Sequence, residues 1–143
     1  MKKSPSFEKL VKEFPDLFMD NDQCTCPWGL ECSEGWHPFI YELIKQLDKI
    51  NKSNQNHKKY NPEFEYVLIK VLQIKEKFGT LRCYISGDDR AFGVVSAYEH
   101  LSQYICEYCG ITKATADVKA RGGSWLKCLC KECHIKYQNG YRA

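Results

Sequence analysis

Apolar side chains recur along the chain with two different periods, and the changes between them mark out the elements. Phe7, Leu10, Val11 and Phe14 fall at helical spacing behind Ser4-Pro5, where proline is tolerated in a first turn, and Pro15 should end or kink this short helix. Residues 20–35 have no apolar period and read as a loop holding Cys24, Cys26, Trp28 and Cys32. Trp36, Phe39, Ile40, Leu43, Ile44, Leu47 and Ile50 then form one apolar stripe, predicting a core-facing helix over residues 38–50. The polar run 51–62 reads as an exposed linker. From residue 64 to 75 aliphatic and β-branched residues predominate, and over residues 80–85 Leu81, Cys83 and Ile85 alternate with Thr80, Arg82 and Tyr84. Those two stretches predict strands joined as a hairpin through Lys77-Phe78-Gly79, with Gly79 at positive φ, in the middle of a sheet. Val94, Val95, Tyr98, Leu101 and Ile105 return to helical spacing over residues 92–105.

Beyond residue 105 the pattern changes character. Two short strands, residues 115–121 and 124–129, flank Gly122-Gly123, and residues 131–137 can form a short helix. The fold class that follows is α+β: a small antiparallel hairpin or sheet packed with helices, plus a C-terminal zinc module. The expected division is 1–105 for the α+β core and 106–143 for the module, packed on the core as one unit.

A length of 143 residues allows one domain with a genuine core and leaves little room for two full ones. A hydrophobic share of 43% and a net charge of +3 exclude a disordered chain. No long apolar run or signal-peptide core is present at the start, so a soluble cytoplasmic protein is expected. Nine cysteines are an odd number and too few for a secreted disulfide scaffold, which turns attention to metal.

Cys106-x2-Cys109 and Cys130-x2-Cys133 are separated by twenty residues. A two-residue gap lets one tight turn bring two thiolates onto a tetrahedral ion, and two such turns close a Zn²⁺ site with no open position. A knuckle, a hairpin and a helix carrying the second pair give a treble-clef-like layout. Four ordinary buried thiols or an iron–sulfur cluster are the competing readings. Cys128 and His134 beside the second pair, and Cys83 within a strand, are read as bystanders. Cys24, Cys26, Cys32 and His37 form a second candidate set within fourteen residues, so one Zn²⁺ is expected and two are allowed for.

Catalytic readings fare less well. Cys32-Ser33-Glu34 superficially matches the ligand-x-glutamate half of a zinc deaminase, but 73 residues separate Cys32 from Cys106, and Ile105 stands where that motif has proline. No phosphate loop, nucleophile elbow or HExxH motif occurs, and no catalytic residue is assigned. Residues 106–143 carry net +4. Four thiolates and one Zn²⁺ together carry −2, which leaves only a weak basic bias. Within this module Arg121, Trp125, Lys127, Lys131 and Lys136 are candidates for contact with nucleic acid or a protein partner.

Three segments carry a likeness: residues 28–36 (WGLECSEGW), residues 71–82 (VLQIKEKFGTLR), and Cys106-Glu107-Tyr108-Cys109-Gly110 with the later residues 124–130 (SWLKCLC). Over most of residues 24–134 the chain resembles a family of small proteins of unknown function found widely in bacteriophages and prophages. Members often have Gly-Asp-Gly-Trp where Ser33-Glu34-Gly35-Trp36 stands here. The resemblance implies phage context without a mechanism. In that context the expectation is a non-enzymatic, zinc-stabilised protein that binds a host protein, such as a defence component, in the host cytoplasm. A nucleic-acid-binding zinc finger is the alternative, and a nucleotide-acting enzyme the third reading.

Overall fold

The computed structural model describes residues 5–112, 119–122 and 125–143. Ser4 of the expected helix start, residues 115–118, the Gly123 turn with Ser124, and the side chains of Arg121 and Trp125 lie outside the described residues. Helix α1 (Pro5–Glu13) gives way at Phe14 to a four-residue helix α2 (Pro15–Phe18), with Pro15 starting the second helix as well as ending the first. Phe7 packs edge-on against Phe18 at 5.5 Å between ring centroids, which folds α1 back over α2.

Residues 20–35 are more ordered than their polarity suggests. Strands β1 (Met19–Asp20) and β2 (Gln23–Cys24) form a small hairpin through Asn21 and Asp22, both at positive φ. Strand β3 (Leu30–Glu31) then lies parallel to β4 (Lys70–Lys77). Strand β5 (Thr80–Ser86) pairs antiparallel with β4, so the order is β3-β4-β5 and the predicted hairpin supplies the centre and one edge of the sheet. Its turn residues Phe78 and Gly79 both have positive φ. Val71, Ile74, Leu81, Cys83 and Ile85 face inward and join the side chains of α1, α2 and α3 in one core.

Helix α3 (His37–Tyr60) is longer than the apolar stripe implies, and the expected linker is its second half. No proline or glycine interrupts the chain between Pro38 and Pro62, so polar residues simply extend a helix already anchored by Ile40, Leu43, Ile44, Leu47 and Ile50. Asn51, fully buried, accepts the Ile69 amide at 3.0 Å on Oδ1 and donates from Nδ2 to the Ile69 carbonyl at 3.3 Å. That side chain does the work of a neighbouring strand, and β4 accordingly begins at Lys70, later than the expected start at residue 64.

Helix α4 (Asp89–Leu101) is capped by Asp88, whose carboxylate accepts the Ala91 amide at 3.0 Å, and a 3-10 turn (Ser102–Tyr104) leads to Cys106. Strands β6 (Lys119–Gly122) and β7 (Trp125–Cys128) form the C-terminal hairpin, followed by helix α5 (Lys131–Gln138). Among the described residues no helix is long and apolar enough to cross a membrane.

Candidate metal centre

The knuckle carrying the first two thiols is made by the backbone. The Cys106 amide donates to the Ile111 carbonyl at 3.0 Å and the Gly110 amide to the Cys106 carbonyl at 2.9 Å, with Gly110 at φ +76° closing the turn. The second pair sits at the start of α5, where Cys130 is the N-cap and its sulfur accepts the Cys133 amide at 3.5 Å. Between the pairs, the Glu107 amide donates to the Cys128 carbonyl at 2.7 Å and ties the knuckle to the end of β7.

These turns bring the Sγ atoms of Cys106, Cys109, Cys130 and Cys133 within 4.8 Å of one another. Cys109 and Cys130 are 3.7 Å apart. A tetrahedral ion with Zn–S bonds of ~2.3 Å sets its sulfurs roughly 3.8 Å apart, so the four thiols need draw together by no more than about 1 Å to hold one Zn²⁺. All four are free of disulfides, three are buried, and only Cys109 is exposed. Leu129, fully buried, fills the space beneath them. Burial raises the Cys133 thiol, whereas at Cys130 the same penalty is outweighed by hydrogen bonds from the Cys133 amide and the neighbouring thiols, which bring it below its usual value. Comparison with protein-family models, curated proteins and solved structures gives no match.

What surrounds the quartet is therefore the guide to its role. The 3-10 turn Glu34–Trp36 lies flush against the knuckle: a Cβ on Gly35 would stand 2.4 Å from the Glu107 carbonyl oxygen and 2.6 Å from that of Cys106. Trp36, fully buried, donates from its indole to the Ile105 carbonyl at 2.9 Å. Glu107 is also fully buried; its Oε2 accepts the Ser33 amide at 3.0 Å, and its Oε1 faces Lys127 Nζ at 3.7 Å. Lys127 pairs on its other side with Glu76 of β4 at 3.3 Å. Burial raises the Glu107 carboxyl, partly offset by the Ser33 amide and Lys127; burial works against the Lys127 charge, but the two carboxylates outweigh it and raise its pKa.

Sequence reasoning missed Glu107, Glu76 and the seat of Gly35; a carboxylate between two metal cysteines and the Gly-Trp pair were the signs on offer. Lys127, a candidate contact in the sequence, lies within this ion triad. Lys131 and Lys136 are exposed on α5. Among the described residues, the quartet is the one place where three or more candidate ligand atoms meet, so Cys24, Cys26, Cys32 and His37 do not converge on a second ion. Cys26 is wholly in the core, where burial pushes its thiol up to about 11, and it donates to the Gly29 carbonyl at 3.8 Å. Cys24 donates to the Cys26 carbonyl and Cys32 is half-buried, its thiol raised by burial. His37 opens α3 beside Leu10, Leu30 and Tyr41. The bystander Cys128 is buried, its thiol directed at the carbonyls of Ser102, Gln103 and Ile105.

Proposed function

We propose that this chain is a non-enzymatic, zinc-stabilised binding protein of phage type that acts by occupying a host protein, with a component of host defence as the favoured class of target. The observation that supports this reading is the closed sulfur site. Four thiolates saturate a tetrahedral ion and leave no position for water or substrate. The nearby carboxylate, Glu107, is held by the Ser33 amide and Lys127 and is buried away from solvent. Metal in such a place supplies shape, fixing the knuckle against the Gly35-Trp36 turn, and shape is what a binding protein needs. The resemblance to phage proteins supplies the choice of a host protein as partner.

The test is affinity purification of the tagged, zinc-loaded chain from bacterial lysate, followed by reconstitution with the purified candidate. One host protein held at fixed stoichiometry, and released when Cys109→Ser disrupts the knuckle, is the expected outcome. Recovery of no stoichiometric protein partner overturns the reading.

A further inference from the structure

The outer face of the β4-β5 hairpin carries a set of side chains that neither the core nor the metal centre uses. Because Leu81, Cys83 and Ile85 point inward, Thr80, Arg82 and Tyr84 point outward, and their partners Lys77, Lys75 and Gln73 share that face. Lys75 and Arg82 are thus directly opposite each other, an arrangement of like charges that destabilises a bare sheet. Among the described residues neither takes part in an ion pair. Glu31, the carboxylate across β3 from Lys75, accepts instead from Gln73 at 2.8 Å. Arg82 Nε is buried and has no hydrogen-bond partner.

Beside this row, a groove of about 510 Å³ runs along the edge of β5 against α4. Its rim holds three exposed aromatic rings, Phe78, Tyr84 and Phe92, together with Lys77 and Arg82. Phe78 is the most telling of them. It is 66% exposed at the hairpin tip with φ +54°, a conformation costly for a bulky residue and ordinarily left to Asn, Asp or Gly. A large ring kept in water at a backbone cost points to a use for its face. The carboxylate in the groove, Glu99, is occupied by the Cys83 amide at 3.0 Å.

We propose that this groove binds single-stranded nucleic acid, with bases stacking on Phe78, Tyr84 and Phe92 and the phosphates held by Lys75, Lys77 and Arg82. Aromatic platforms interleaved with cations are what an unpaired strand requires, because every base offers a π-face and every linkage an anion. An acidic peptide would satisfy the cations and leave three rings without a purpose. A duplex hides its base faces and would meet only the charges. The site is separate from the metal centre and extends beyond the host-protein role, which is read by a different assay.

The experiment is fluorescence anisotropy of the zinc-loaded full chain with labelled twelve-nucleotide oligo(dT) and oligo(rA), over a series of salt concentrations. Binding is expected at low salt and should weaken linearly in log–log form as salt rises. Tyr84→Ser and Arg82→Gln, both on the outward face, should each weaken it about tenfold without lowering the thermal melt. Lys45→Gln, exposed on α3, should leave it unchanged. No anisotropy change at the lowest salt overturns the proposal, as does equal loss in the Lys45 variant. Displacement of the strand by adenosine monophosphate or a polyglutamate peptide at matched charge also overturns it, in favour of a free nucleotide or an acidic protein.

Discussion

Gly35 has no room for a methyl group, because the carbonyls in its way belong to the metal knuckle's backbone and cannot swing aside. Gly35→Ala should therefore cost about 3 kcal/mol by overpacking, read as a fall in urea midpoint. It should do so although the residue is far from the cysteines in sequence. Lys127 presents the converse case, a cation whose removal leaves two carboxylates behind. Lys127→Met should destabilise by ~3–5 kcal/mol, since buried Glu107 and partly buried Glu76 are then left without a counter-charge. Adding Glu107→Gln to that variant should recover part of the loss, and a double-mutant cycle on chemical denaturation checks it.

Among the elements, the most informative discrepancy is the second half of α3. Periodicity found the first half because its stripe is apolar; it lost the helix where burial narrows to Asn51 and the remaining turns face water. The same asparagine explains the late start of β4, since a side chain satisfies the Ile69 backbone where a strand was expected. Asn51→Ala should leave both Ile69 groups buried and unpaired, at a cost of ~2–3 kcal/mol despite alanine's better helix propensity. Faster amide exchange at Ile69 would locate the damage. The hairpin through Phe78-Gly79 and the paired cysteine turns were legible because each is built around a short local turn. The ion triad and the Gly35 seat were not, because they join β4, β7, the knuckle and a 3-10 turn that lie far apart in sequence. The Cys24 set shows the opposite hazard: closely spaced cysteines whose backbone sends one thiol into the core.

For the molecule as a whole, the metal centre and the α+β core share their contacts. Trp36 reaches the Ile105 carbonyl, Ser33 reaches Glu107, and Lys127 reaches Glu76. Metal analysis of the purified protein should give one Zn²⁺ per chain, and a strong chelator should lower the melting temperature of the entire protein. Exchange protection of the Trp36 indole N–H should vanish with the zinc. A metal-free chain with unchanged protection there would show that the four thiols hold the knuckle unaided. These links also bear on how the chain matures in a cell. The surface that receives Gly35 is made from residues about seventy positions later, and the last two sulfur ligands come later still. Until those later residues have been made, Trp36 lacks the Ile105 carbonyl and Gly35 its seat, and zinc capture becomes the step that joins the first half of the chain to its last elements.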